Sequence, residues 1–414
     1  MPDSKAKRAY NYITRNIINA VSCHIKVKKG RIYVSSFSGR FCDSPKQIAI
    51  AYKASYPSSK IIYSISDTNK IKGFNFIPSI FGTWKDAYYK ASANIIIDNG
   101  YGGKAVWLKS DDKDAVSVFN KTVRKRKKKN QYVISTWHGT PLKKMGIDAQ
   151  NSSIIDFDCP NTQLVLGNQW TADVMKRLTF DKVPITITGT PRNDLLFSLN
   201  DLEISEKKIA MGIDPYSKVL LYAPTFRDSN GEGSIADIEN SGINQTKEID
   251  FNVLINALTT RFGGKWTIIL RFHHYVESQM DWNSLKTEYG DSIINGNVFE
   301  DMADYLQIAD VLITDASSSF FDYALTYRPC FIFFPDVDKY RKERGLYFSF
   351  SEMPFPMSST FQELLIHIAA FDSDSYKNGC SLFLNKIGNS DDGVATERIV
   401  SIIHDMINKT VEKK

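Results

Sequence analysis

The chain has 414 residues, 43% hydrophobic and 24% charged, with a net charge of +6; this excludes a disordered chain, and the length exceeds one ordinary core, so two domains are expected. Five cysteines lie scattered with no CxxC pair, which argues against a zinc site or a disulfide framework and for a reducing compartment. No run approaches the roughly 20 apolar residues needed to span a bilayer, and no signal-peptide core opens the chain, so a cytoplasmic protein is expected.

Residues 4–22 carry Tyr10, Ile13, Ile17, Ile18 and Val21 at helical spacing, beside Lys5, Lys7, Arg8 and Arg15. The pattern predicts a basic amphipathic helix, and it leaves open whether that helix packs on its own domain or lies on an anionic membrane surface. Strands are predicted at 31–37 and 60–64 with a helix at 45–52 between them. A helix at 84–93 then leads to a strand at 94–98 and a Gly-rich turn at 99–103. Lys121 and the block Arg124-Lys125-Arg126-Lys127-Lys128-Lys129 must stay in solvent, as a plain loop or as a contact for an anionic lipid or polymer. Strands at 132–135, 163–167 and 185–189 continue the alternation.

After about residue 200 the pattern restarts. Helices at 205–211, 251–262, 302–308 and 320–325 alternate with strands at 218–222, 266–270, 310–314 and 330–334. Residues 394–411 form a closing helix, and the Gly/Ser/Asp/Asn-rich stretch 228–244 reads as a mobile loop. Short apolar strands separated by helices mean parallel βαβ units. The expectation is an α/β protein with two doubly wound, Rossmann-like domains facing a central cleft, at 1–200 and 201–393, with 394–414 as the closing helix.

Four strand ends carry residues suited to phosphate chemistry. In Trp137-His138-Gly139-Thr140-Pro141, followed by Lys143 and Lys144, a histidine at the carboxyl edge of a sheet suits a proton acceptor beside an anionic substrate. A core histidine beside an ordinary turn is the alternative. Thr188-Gly189-Thr190-Pro191-Arg192-Asn193-Asp194 pairs a tight turn with a cation, or is a structural turn. In Leu270-Arg271-Phe272-His273-His274, alternation puts Arg271 and His273 on one side as a phosphate clamp, unless Arg271 pairs with a surface carboxylate. In Thr314-Asp315-Ala316-Ser317-Ser318-Ser319 a strand runs into hydroxyls that open a helix, as an anion site or as an ordinary N-cap. No GxxxxGK[ST] or GxSxG stretch is present, which disfavours a P-loop NTPase and an α/β-hydrolase.

These stretches, together with Leu221-Tyr222-Ala223-Pro224-Thr225-Phe226-Arg227-Asp228, Arg344-Gly345-Leu346-Tyr347-Phe348, Asp392-Gly393 and Glu397-Arg398-Ile399, resemble the CDP-glycerol glycerophosphotransferase family of teichoic acid and capsule polymer primases and polymerases. The chain departs from the family's pattern at Ala316 and His274. The resemblance implies a GT-B fold with the nucleotide donor held mainly by the C-terminal domain. It also implies transfer of glycerol phosphate, or a related polyol phosphate, from CDP-glycerol to an acceptor hydroxyl, with CMP released and no metal or other cofactor. His138 would be the base and His273 a second catalytic histidine. Arg271, Thr314, Asp315, Ser317, Ser318, Thr190, Arg192, Thr225 and Arg227 would bind the donor or its phosphates. Gly139, Lys143 and Lys144 would lie on the acceptor side. Expected partners are a nucleotide-activated polyol phosphate, a lipid-linked or polymeric polyanionic acceptor and an anionic membrane surface, with no nucleic acid. That places the enzyme in the cytoplasm, peripheral on the inner face of a bacterial membrane. A sugar-nucleotide-dependent GT-B glycosyltransferase of cell-surface polysaccharide synthesis is the alternative.

Overall fold

The apolar runs pair as two separate parallel sheets in the computed structural model, which describes residues 5–100, 105–107, 128, 130–149, 153–155, 162–198, 200–225, 248–272, 280–297 and 299–412. The basic block at 121–129 (apart from Lys128) and the stretch 228–244 lie outside the described residues, as do Arg227, His273 and His274.

The first unit comprises Met1–His138, Met145–Asp194 and Asn389–Lys414. Its strands are β1 (Lys28–Ser35), β2 (Lys60–Ile65), β3 (Ile77–Ile80), β4 (Ala93–Asp98), β6 (Tyr132–Ser135), β8 (Thr162–Leu166) and β9 (Ile185–Ile187), with a small antiparallel pair, β5 (Ala105–Trp107) and β7 (Ser153–Ile155). The seven-stranded sheet runs β3-β2-β1-β4-β6-β8-β9, so the order reverses between β1 and β4, the place where open α/β sheets bind ligands beyond their strand ends. Alternation along each strand divides its side chains between the two faces. Ile32, Val34, Ile61, Tyr63, Ile95, Ile97 and Ile134 point to one face, against Ile48 and Tyr52 of helix α2 (Asp43–Ser55, which follows α1, Lys5–Ala20) and Ile399, Val400 and Ile403 of the C-terminal helix Ala395–Glu412. Tyr33, Ile62, Ile96 and Val133 point to the other, where Tyr89 of α3 (Trp84–Ser92) packs.

The C-terminal helix, set apart by its place in the sequence, is therefore part of the first unit, because its apolar face completes that core. Helix α1 packs on α3, and Tyr10, Tyr12, Ile13 and Ile17 remain exposed along it. Helix α4 (Gln169–Leu178) is capped by Asn168, whose side chain accepts from the Thr171 N–H.

The second unit comprises Gly139–Lys144 and Leu195–Gly388. Its sheet contains β10 (Lys218–Ala223), β11 (Trp266–Leu270), β12 (Ile293–Asn295), β13 (Val311–Thr314), β14 (Cys330–Phe333) and β15 (Met357–Ser358), in the order β12-β11-β10-β13-β14-β15, all parallel. Here the reversal falls between β10 and β13. The helices are α5 (Asp201–Ala210), α6 (Phe251–Phe262), α7 (Trp282–Tyr289), α8 (Met302–Ile308), α9 (Ser319–Ala324), α10 (Val337–Arg344), α11 (Phe361–Ala369) and α12 (Ser373–Lys386). Side-chain oxygens cap several of them: Asp250 on α6, Asp281 on α7, Asp301 on α8, Thr360 on α11 and Asp372 on α12. Among the described residues, no helix is long and apolar enough to cross a membrane.

Candidate active site

At the end of β6 the Thr136 N–H donates to the Asp98 carbonyl, 2.9 Å away, and the chain then turns sharply. Trp137 has φ 54° and Gly139 φ 136°. A bulky residue in the left-handed region costs of order 1–3 kcal/mol, a cost that surrounding structure must hold in place. Burial does so here, since Trp137 is only 2% exposed. The turn lays the His138 ring against the Trp137 ring, centroids 4.2 Å apart, and edge-on to Phe37 at 5.9 Å.

His138 Nδ1 lies 3.1 Å from the Asn99 backbone carbonyl. A carbonyl only accepts, so Nδ1 carries the ring proton and Nε2 is the basic nitrogen. Burial lowers the pKa of this half-buried imidazole below its ordinary value, and Arg192 acts in the same direction, against the opposing pull of the Asn99 carbonyl, Asp43 and Asp98. A pKa shifted in that direction favours the neutral ring at physiological pH.

Behind Asn99 lies a buried polar chain. The Asn99 side chain donates from Nδ2 to Asp43 Oδ2 at 2.8 Å, and its Oδ1 accepts the Phe37 N–H at 3.2 Å. Arg192 Nη1 reaches both Asp43 oxygens, at 3.1 and 3.2 Å, and the two side chains are almost wholly buried. Burial raises the Asp43 pKa, but Arg192, the Ser44 N–H and the Asn99 amide outweigh it and hold the carboxyl below its usual range. Arg192, expected to face a ligand phosphate, thus has an internal carboxylate as its partner.

The rest of its segment is also tied inward. The Thr190 N–H donates to Asp391 Oδ1 at 2.6 Å, and Arg398 Nη1 to the Thr188 carbonyl at 3.0 Å. Asp194 accepts from the Ala395 and Thr396 N–H groups at 3.1 and 2.8 Å, capping the C-terminal helix from 201 residues away in sequence. A Cβ on Gly189 (φ 82°) would meet Ala395 Cβ at 2.9 Å. The 188–194 motif and the segment 391–398, which holds the Asp392-Gly393 and Glu397-Arg398 motif residues, are one structural knot in the first unit.

In the second unit, the ends of the neighbouring strands β10 and β13 are joined by Asp315, whose Oδ1 accepts from both the N–H and the hydroxyl of Thr225 at 2.7 Å. Thr314 Oγ1 donates to the Ala223 carbonyl at 2.6 Å. Ser317 Oγ lies 2.8 Å from Ser319 Oγ, and Ser317 and Ser318 remain partly exposed beyond the strand end. Arg271, at the end of β11, turns its guanidinium to the carbonyls of Gly296, Phe299 and Glu300 (2.6–3.0 Å) and stacks on Tyr305, Cζ 4.4 Å from the ring centroid. Its visible work is to hold the backbone at Gly296, Phe299 and Glu300. Position 296 needs a glycine: a Cβ there would stand 2.8 Å from the Leu270 carbonyl.

Gly139, Lys143 and Lys144 fall in this second unit, although they lie within the 1–200 stretch expected as the first domain. Lys143 bridges to Leu346 and lies over the Tyr340 ring, and the Lys144 N–H donates to the Gly345 carbonyl at 3.2 Å. The structure therefore gathers Thr225, Thr314, Asp315, Ser317 and Ser318 in one place, and His138 with Arg192 in another. The sequence singled out neither Asp43 nor Asn99. Asn99 stands just beyond the carboxyl end of β4, and Asp43 opens α2 after the loop that follows β1. Among the described residues, no three or more His, Cys, Asp or Glu side chains gather in a way that could hold a metal ion.

Comparison with known proteins adds a family. Residues 17–405 match the family described as CDP-glycerol:poly(glycerophosphate) glycerophosphotransferase. The chain is 27% identical to the teichoic acid poly(glycerol phosphate) polymerase of Staphylococcus epidermidis, covering 94% of this chain and 52% of that protein. It is 26% identical to the Bacillus subtilis polymerase of the same description, covering 92% and 50%. Against the Staphylococcus aureus teichoic acid glycerol-phosphate transferase the identity is 31%, covering 65% and 70%. The chain thus spans about half the length of the two polymerases. A solved structure of the wall teichoic acid polymerase TagF superposes with a TM-score of 0.75 at 23% identity, covering 98% of this chain and 97% of that one. That likeness, with the two doubly wound sheets, makes the fold GT-B.

Proposed function

The chain belongs to the CDP-glycerol:poly(glycerophosphate) glycerophosphotransferase family, and on that footing we propose that it transfers glycerol phosphate, or a related polyol phosphate, from CDP-glycerol to a hydroxyl of a lipid-linked or polymeric acceptor in teichoic acid or capsule polymer synthesis. The observation that carries this reading is the fixed tautomer of His138. With Nδ1–H committed to the Asn99 carbonyl, a neutral ring offers Nε2 to the acceptor hydroxyl.

In the proposed reaction His138 Nε2 removes the hydroxyl proton as that oxygen attacks the donor's β-phosphorus. The new O–P bond forms as the bond to the bridging oxygen breaks, and CMP leaves with the electron pair. Charge grows on the phosphoryl and bridging oxygens, so fixed hydrogen-bond donors there lower the barrier. Ser317 and Ser318, partly exposed at the β13 strand end, are assigned that role for the donor pyrophosphate. His273, by family resemblance, is assigned there too. The same reading keeps a peripheral site at the inner membrane face and a reaction without metal.

CMP release tests it, measured with CDP-glycerol, CDP-ribitol and a UDP-sugar in parallel over a short lipid-linked glycerol phosphate acceptor. Acceptor-dependent CMP release from a CDP-alcohol is the expected result. Silence with both CDP-alcohols and turnover of the sugar nucleotide would replace the proposal with glycosyl transfer on the same fold.

A further inference from the structure

We propose that Asp43, Asn99 and Arg192 form a positioning relay that sets the orientation and basicity of His138, with Asn99 as the residue that transmits it. The proposal rests on the reading of His138 as the base. The connections are continuous: Arg192 to both Asp43 oxygens, Asp43 Oδ2 to the Asn99 amide, and the Asn99 carbonyl to His138 Nδ1. Both ends of the Asn99 amide are committed, since its Oδ1 also takes the Phe37 N–H. The residue whose backbone carbonyl meets the imidazole is therefore itself held at its side chain from two sides.

Two features are hard to explain as fold stabilisation alone. A buried ion pair seldom stabilises a fold more than apolar residues of the same volume would. Three non-glycine residues tied to this ring also have positive φ: Phe37 (32°), Asp43 (62°) and Trp137 (54°). Phe37 and Trp137 contact the imidazole, and Asp43 supports the residue that orients it. Backbone strain of this kind persists where a site needs it. Among the described residues, the charged groups that act on the ring are Asp43 at the start of α2, Arg192 in the turn after β9 and Asp98 at the end of β4.

Asp43→Asn keeps the shape of the relay and leaves the arginine's charge beside the ring without its balancing carboxylate. The expected result is a fall in kcat of about 10–100-fold, the scale seen when the hydrogen-bond partner that orients a metal-ligating histidine is removed, with KM for CDP-glycerol unchanged. The acid limb of log(kcat/KM) against pH moves to lower pH, and adding Arg192→Gln brings it back toward the wild-type position. A limb that stays in place in both variants overturns the relay. Asn99→Ala leaves the ion pair intact and gives a second route if Asp43→Asn does not fold. Here kcat falls at unchanged KM, and an unaltered kcat overturns the proposal. NMR titration of the His138 ring in the same proteins reads the relay without turnover. A ring titration that moves with Asp43→Asn supports it even if His138→Ala proves fully active, a result that would remove only the base assignment. A ring titration that does not move, with His138→Ala inactive, removes only the relay.

Discussion

Replacing Arg192 with methionine should destabilise the first unit strongly, and in a pH-dependent way. Both partners are almost wholly buried (Arg192 8% and Asp43 5% exposed), so the loss of the cation leaves a desolvated carboxylate. Breaking a buried pair from one side typically costs about 3–5 kcal/mol. The first unit is of a size for which 1 kcal/mol shifts Tm by roughly 2–4 °C, so its melting transition should fall by about 6–20 °C at pH 8. The sign with pH follows from Asp43. In the native protein its pKa is held below the ordinary carboxylate range, so its charge stabilises the fold above that range, and the contribution is lost as pH falls through the folded value. In Arg192→Met the carboxyl becomes easier to protonate, and a protonated Asp43 no longer needs a cation. The gap between variant and wild type should narrow from pH 8 to pH 5. Thermal denaturation followed by circular dichroism at the two pH values measures it. A drop of less than about 2 °C, or a gap that does not depend on pH, would show that the buried Asp43 does not depend on Arg192 for its charge.

Other outcomes follow from the same geometry. Asp194→Ala removes the cap of the C-terminal helix and should cost about 1–2 kcal/mol, seen as a lower Tm and faster amide exchange in residues 395–400; unchanged exchange there would show that the helix does not depend on this cap. Since burial holds the His138 pKa low, kcat/KM should rise with pH through a midpoint below about 6.5 and be level at neutrality. A midpoint above that value would mean that the titrating base is another group.

Much of the fold was legible because parallel strands buried on both faces are short apolar runs, and β2, β4, β10 and β13 all announce themselves that way. What escaped did so for identifiable reasons. Strand β3 is an edge strand, Ile77-Pro78-Ser79-Ile80, with a proline and mostly exposed positions, so it carries little periodic signal. Helix α10, Val337-Asp338-Lys339-Tyr340-Arg341-Lys342-Glu343-Arg344, is nearly all polar. The C-terminal helix was visible as a helix, but its partner, the face built from β1, β2 and β4, lies more than 300 residues earlier. At the site, a histidine at a strand end could be read from local pattern. The partners that set its tautomer and charge could not, because Asn99 is 39 residues away and the Asp43–Arg192 pair spans 149. Arg192 and Arg271 show the limit of reading cations by type: an arginine at a strand end suits a phosphate, a buried carboxylate or a set of backbone carbonyls equally well.

Whether His138 is the proton acceptor of a phosphotransferase is read from His138→Ala and the wild type, compared in turnover of CDP-glycerol and in equilibrium binding of the same donor. The expected result is turnover reduced by at least about 10²-fold, the lower scale of general-base catalysis, with donor affinity unchanged. Wild-type turnover in His138→Ala, or a loss of donor binding that accounts for the whole decrease, would contradict it.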